Sequence, residues 1–150
     1  MKMNALQVLM EDHAYVKKAY RQFQKLDPQD DLEELESLVK NVCAALKVHA
    51  RIEEEIFYPA ARRALKDKDL LEEAEVEHQS AKTLIRELER MKPKDPKYAA
   101  AFTVLCEYVA HHVKEEENGM FPKVRRARMN LEALGKKLME RKVRLAARAR

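Results

Sequence analysis

Hydrophobic residues recur every three or four positions over four long stretches of the chain, with polar residues between them. This spacing places the apolar side chains on one face of an α-helix. It predicts helices over about residues 4–26, 31–65, 70–91 and 96–118. Each helix would turn a continuous apolar face toward a common interior.

Prolines and short charged segments separate these helices. Asp27 and Pro28 end the first helix, because proline disfavours helical geometry in the residue before it. The segment 92–97 contains two prolines and reads as a loop. We expect Pro59 to kink the second helix near its end and Gly119 to cap the fourth.

A fifth, strongly basic helix is predicted over about residues 130–148, with an apolar edge of leucines. Residues 123–150 carry 11 Lys or Arg against 2 Asp or Glu, a net charge of +9, whereas residues 1–122 have a net charge of −5. We interpret the basic helix as a solvated surface, or as a surface for an acidic partner. The chain has few aromatic residues, and none lies among the basic residues of this segment. Nucleic acid is therefore not a favoured partner.

Composition supports an all-α fold. The chain of 150 residues has two glycines and no tryptophan, and it fits a single domain, 1–150. Four helices with short connections pack as an up-down-up-down four-helix bundle, here over about 4–122, with the additional C-terminal basic helix beside it. No apolar run is long enough for a membrane span, and the weak N-terminal signal makes the cytoplasm the expected location.

One spacing of chemically active residues occurs twice. In both copies a histidine precedes a glutamate by four positions and a proline by ten: His49, Glu53 and Pro59, then His112, Glu116 and Pro122. Positions i and i+4 share one face of a helix. Imidazole and carboxylate on one face are a ligand pair for borderline metals such as iron.

Two further histidines, His13 and His78, lie on the apolar faces of the first and third helices at the same predicted height. The converging residues are therefore His13, His49, Glu53, His78, His112 and Glu116. Buried carboxylates without a cationic partner are costly, so we predict that these six residues bind metal. The alternative is a polar surface stripe, which would require a misread helix phase.

The two halves of the chain have matching residue spacings, which indicates an internal duplication. Each half has an opening histidine (His13 or His78) and a closing histidine (His49 or His112). Lys17 and Lys82 follow the opening histidines by four positions, and Cys43 and Cys106 precede the closing histidines by six. This duplication suggests two metals with open coordination positions. One metal would be held by His13 and His49, the other by His78 and His112, with Glu53 and Glu116 as bridges. We expect the two cysteines to stay reduced on diagonal helices.

The order His, His-x-x-x-Glu, His, His-x-x-x-Glu, with Phe-Pro-like exits, resembles the hemerythrin-like, or HHE, domain family over about residues 5–145. The resemblance implies a four-helix bundle with a non-haem di-iron centre, carboxylate-bridged and often with an oxo or hydroxo group. Members of the family bind or sense dioxygen, handle nitric oxide or peroxide, sense iron, or assist iron–sulfur repair.

One position departs from the oxygen carriers of this family. They have His-x-x-x-His on the third helix, whereas here the second histidine is replaced by Lys82. His111 lies one residue off the inward face and does not replace it. Lys82 either contacts a bound peroxide or extends to solvent, and Glu75 is either an added carboxylate ligand or an exposed helix charge.

Three functions follow. The first is a di-iron protein that binds or reacts with dioxygen, nitric oxide or peroxide. The second is a non-catalytic iron or oxygen sensor, or an iron handling or repair protein, whose fold responds to metal. The third is a structural bundle without a physiological metal.

Overall fold

A computed structural model describes residues 3–148 of the chain. Within these residues all regular structure is helical, as predicted. The elements are α1 (Ala5–Gln24), α2 (Leu32–Ile52), the π-helical segment π1 (Glu53–Phe57), α3 (Tyr58–Ala64), α4 (Asp69–Arg90), α5 (Tyr98–Glu115), the π-helical segment π2 (Glu116–Met120), α6 (Phe121–Arg126) and α7 (Leu131–Arg148).

Four helical rods form the bundle: α1, α2–π1–α3, α4, and α5–π2–α6. Contacts join α1 to α2, α2 to α4, α4 to α5 and α5 back to α1, so neighbours along the chain are neighbours in space. This confirms the up-down-up-down bundle with an additional C-terminal helix. No helix in the described part has both the length and the apolar character needed to cross a bilayer.

The second rod ends about where the sequence predicts, whereas the fourth continues beyond its predicted end, and both contain an unpredicted π-helical turn. Each changes from α to π geometry at its glutamate, where the backbone N–H of Tyr58 donates to the carbonyl of Glu53, and that of Phe121 to the carbonyl of Glu116. Pro59 and Pro122 follow directly. Because a proline ring crowds the carbonyl four residues earlier and lacks an N–H, the wider turn is formed before it.

The expectation for Gly119 is corrected, whereas Pro59 interrupts the regular helix without stopping it, as expected. The second rod changes to π geometry at π1, directly before Pro59, and continues past the proline as α3. Gly119 lies inside π2 and does not cap the fourth rod, which continues as α6 to Arg126. Single-turn π segments inside α-helices are frequently found at functional sites.

The interior consists of two apolar clusters. The lower cluster joins the start of α1 to α3, α6 and α7, and its largest fully buried side chains include Phe57, Tyr58 and Phe121. The upper cluster joins α2, α4 and α5 around Phe102 and Leu105. The histidines predicted as ligands belong to neither cluster, because they form the layer between them.

The C-terminal helix α7 extends the lower cluster. Leu138 is fully buried, and Leu145 is nearly so. Gly135 lies so close to the start of α1 that a Cβ there would clash with the carbonyl oxygen of Met3. The predicted basic helix is thus packed tightly on the bundle along one side.

We expect Cys43 and Cys106 to remain unreactive thiols in the folded protein. They lie on the diagonal rods α2 and α5, and both are buried and free. Burial raises the pKa of Cys43 to about 11 and that of Cys106 to about 12, so very little thiolate exists at pH 8. Mass spectrometry after iodoacetamide treatment should show no alkylation in the native protein and two modifications in urea. An internal cross-link would contradict this prediction.

Candidate metal centre

All six residues predicted as ligands meet in one layer of the bundle interior. None is more than 8% exposed. Four rods supply them: His13 from α1, His49 and Glu53 from α2 and π1, His78 from α4, and His112 and Glu116 from α5 and π2. The helical phase inferred from the sequence is therefore correct for every one of them.

The six residues form two groups that share a carboxylate. Potential ligand atoms of His13, His49, Glu53 and Glu116 all lie within 4.8 Å of one another, and so do those of Glu53, His78 and His112. In each group the two imidazole rings have centroids 5.0 Å apart. These are the two histidine pairs that the duplicated sequence predicts.

Both glutamates connect the two halves of the chain. Glu53 Oε1 lies 3.1 Å from His49 Nε2 and 3.1 Å from His78 Nε2. Glu116 Oε1 lies 3.3 Å from His13 Nε2, and its Oε2 lies 3.3 Å from His112 Nε2. Each carboxylate thus stands between histidines of both pairs, where a bridging ligand belongs.

Four carboxylates that the sequence analysis missed bind the Nδ1 atoms of the histidines and orient the rings. Each Nδ1 atom has a carboxylate oxygen within 2.6–2.8 Å. With Nδ1–H donating to that carboxylate, the lone pair of each Nε2 points to the centre of the layer. The pairs are His13 with Glu117, His49 with Asp12, His78 with Glu54, and His112 with Glu77.

These carboxylates follow the duplication. The acid before each opening histidine binds the closing histidine of the same half, and the acid after each glutamate binds the opening histidine of the other half. Their signal in the sequence is adjacency: Asp12 before His13, Glu77 before His78, Glu54 after Glu53, and Glu117 after Glu116. Adjacency alone does not reveal the partner, because each partner lies on another rod.

Tyr58 is a further residue of the layer that the sequence analysis missed. Its hydroxyl donates to Glu116 Oε2 at 2.6 Å and lies 3.2 Å from Glu53 Oε1 and 3.1 Å from His78 Nε2. The equivalent position in the other half is Phe121, whose ring stacks on His13 with centroids 6.1 Å apart. The phenol therefore makes the two halves of the layer unequal.

Even without a metal, the carboxylates of this layer favour the protonated, positively charged form of the histidines. Burial lowers the pKa of His49, but the charge of Glu53 and the hydrogen bond to Asp12 outweigh burial and raise that pKa well above its usual range. Burial is likewise outweighed at His112, mainly by Glu116, and its pKa rises to about 9. The pKa of Glu53 is held well below its usual range, because His49 outweighs desolvation.

Several buried atoms in the layer have no hydrogen-bond partner among the described residues. They are His13 Nε2, His49 Nε2, Glu53 Oε2 and Glu116 Oε1. An unsatisfied buried polar atom costs about 1–3 kcal/mol. A metal cation between the imidazoles and carboxylates would satisfy all four at once, and nitrogen–oxygen donor sets of this kind suit iron and similar metals. The residues present therefore fit a metal centre.

A cavity of about 60 Å³ adjoins the layer. All four histidines line it, whereas Glu53, Glu116 and Tyr58 do not. Its other walls are mostly apolar, including Val16, Leu46, Ala81, Ile85, Val109 and Val113. Since a cavity needs roughly 10–15 Å³ in this measure to hold one water, it accommodates a molecule of only a few heavy atoms.

Three nearby residues have contacts that bear on their roles. Lys82 lines the cavity and donates to Glu54 Oε1 at 2.6 Å, while its side chain is 29% exposed, so it binds a carboxylate beside the site without being fully withdrawn from solvent. Glu75 is an exposed helix charge that accepts a hydrogen bond from Arg62 at 2.8 Å. His111 is exposed and pairs with Glu115 at 2.9 Å, as its position off the inward face requires.

Comparison with known protein families matches residues 4–124 to the hemerythrin HHE cation-binding domain. The crystal structure of a hemerythrin HHE cation-binding domain-containing protein from Mycobacterium kansasii covers 98% of this chain and 90% of that chain, with 28% identity and a TM-score of 0.82. A DNA nickase from a Nostoc species is 29% identical over 124 residues, which make up 82% of this chain and 34% of the nickase. The chain thus spans about a third of the length of that curated relative.

We expect Tyr58→Phe to lower the free energy of unfolding of the chelator-treated protein by about 1–3 kcal/mol, because Glu116 loses a buried hydrogen-bond donor. Urea unfolding followed by circular dichroism measures the change. Tyr15→Phe is the matched control, since Tyr15 is 46% exposed and far more accessible than the 1% exposed Tyr58. Identical unfolding curves for both variants and the parent would show that the phenol does not support the carboxylates.

Proposed function

The chain belongs to the hemerythrin HHE cation-binding domain family, and we propose that its buried histidines and glutamates hold two iron ions that bind or react with a small molecule. One observation carries the proposal. Four imidazoles and two carboxylates converge in a buried layer, with inward-facing atoms that have no partner among the described residues.

We assign the ligands by the two groups of the layer. His13 and His49 would hold one ion, and His78 and His112 the other. Glu53 and Glu116 would bridge them, because each lies between histidines of both pairs. The carboxylates behind the Nδ1 atoms support this assignment, since metal-bound histidines usually donate their second N–H to such a group.

Bound iron would supply a redox centre and a Lewis acid. The protein's own residues do the rest. Apolar side chains such as Ala81 and Val113 line the cavity beside the histidine layer, and its volume of about 60 Å³ suits a small molecule such as dioxygen, nitric oxide or peroxide. Tyr58 holds a proton against Glu116 Oε2 beside the same layer.

A second function is favoured by the same unpaired atoms. Since Glu53 Oε2 and Glu116 Oε1 have no hydrogen-bond partner among the described residues, the stability of the bundle should depend on metal. A non-catalytic iron or oxygen sensor would use that dependence directly. An absorption spectrum of the iron-loaded protein that changes with dioxygen, nitric oxide or peroxide supports the first function. Loss of helicity on chelation without such reactivity supports the sensor.

We predict that His49→Ala and Glu53→Ala each lose most of their iron after anaerobic loading with ferrous salt and desalting, because each removes a donor from a buried site. Elemental analysis measures iron per chain. His111→Ala is the control, since His111 is exposed and lies outside the layer. Iron contents equal to the parent in both ligand variants would refute the assignment.

A further inference from the structure

Two of the four carboxylates behind the histidines are themselves held by lysines. Lys82 donates to Glu54, which binds His78, and Lys142 donates to Asp12, which binds His49. Over residues 3–148, neither Glu77 nor Glu117 forms an ion pair with a lysine or arginine. Each proposed ion thus has one histidine supported by a chain of lysine, carboxylate and imidazole.

The two lysines come from different parts of the structure. Lys82 lies on α4, inside the bundle. Lys17 holds the equivalent position on α1 but is exposed, and it forms no ion pair with the described residues. The first half instead receives its lysine from α7, a helix that lies beyond the family match of residues 4–124.

Contacts along α7 fix the position of Lys142. Gly135 allows the helix to touch the backbone at the start of α1, and Leu138 is buried in the lower cluster. Arg141 donates to Glu55 Oε1 at 2.8 Å, one residue before Lys142. The Lys142 side chain is only 30% exposed and that of Asp12 only 14%, so solvent screens their pair less than a surface ion pair.

We infer that Lys142 is a positioning residue for the ion held by His13 and His49. It holds Asp12, Asp12 holds Nδ1–H of His49, and Nε2 of His49 is thereby directed at the ion. Docking of α7 and occupancy of this one site are then coupled, whereas the site of His78 and His112 depends on Lys82 within the bundle. The inference rests on the proposed metal centre.

Release of iron to a colour-forming ferrous chelator under anaerobic conditions tests the inference on the full chain. Removing a residue that hydrogen-bonds to a metal ligand typically costs about 10–100-fold in metal affinity. Lys142 is one hydrogen bond further from the ion than Asp12, which binds the ligand His49 directly. We therefore expect Lys142→Met to release one of the two ions about tenfold faster than the parent protein and the other at the parent rate. Lys142→Arg should restore slow release, since it keeps the donor and the charge.

Two matched variants complete the set. Lys82→Met should accelerate the release of the other ion. Lys136→Met should leave both rates unchanged, because Lys136 is an exposed lysine on the same helix. The double variant that combines Lys82→Met with Lys142→Met should release both ions faster than the parent.

The effect of iron on hydrogen exchange in α7 distinguishes a positioning role of Lys142 from a purely structural one. Coupling is reciprocal, so ferrous iron should slow amide exchange in α7 of the parent and have no such effect in Lys142→Met. If Lys142 only attached the helix, its loss would speed exchange in α7 by the same factor with and without iron.

The outcomes separate the inference from the function on which it rests. A parent protein that takes up no iron would refute the metal centre. A parent that binds iron, with Lys142→Met releasing both ions at the parent rates or both faster by one factor, would overturn the role of Lys142 and leave the metal centre standing.

Discussion

The constraint that shapes this protein is the burial of charge in a helical bundle. Glu53 and Glu116 lie almost without exposure among imidazoles, between two apolar clusters. Removing a charged group from water costs several kcal/mol unless close partners compensate it. The carboxylates that bind the Nδ1 atoms, the Tyr58 phenol and the inward-facing Nε2 atoms all serve that compensation. So many hydrogen-bonded partners fix the positions of these side chains far more closely than a polar stripe on the surface would.

The layer is almost two-fold symmetric, and its departures from symmetry carry information. Tyr58 and Phe121 occupy equivalent positions, but only the phenol reaches both glutamates. Lys82 supports a histidine from within the bundle, whereas Lys17 does not, and Lys142 replaces it from α7. The two proposed ions therefore have different surroundings on both sides of the layer, although their histidine ligands match.

The six predicted ligands could be found from the sequence, because helical periodicity alone places His49 and Glu53 on one inward face. Tyr58 could not. At 100° per residue, position i+5 of a regular α-helix points away from position i, so Tyr58 was not associated with Glu53. The π segment inserts the extra residue that brings them together. The same local change explains why Gly119 failed as a cap, because a helix-ending signal became part of the wider turn.

The charge asymmetry of the chain also has a different meaning in three dimensions. The sequence predicts that the basic C-terminal segment is a solvated surface or a surface for an acidic partner. Three of its basic residues, Lys123, Arg141 and Lys142, bind Asp67, Glu55 and Asp12 of the same chain. The bundle itself therefore supplies part of the acidic surface that the basic segment binds. Since Asp12 also binds His49, this attraction between the two parts of the chain reaches the buried layer, which a purely solvated helix would never influence.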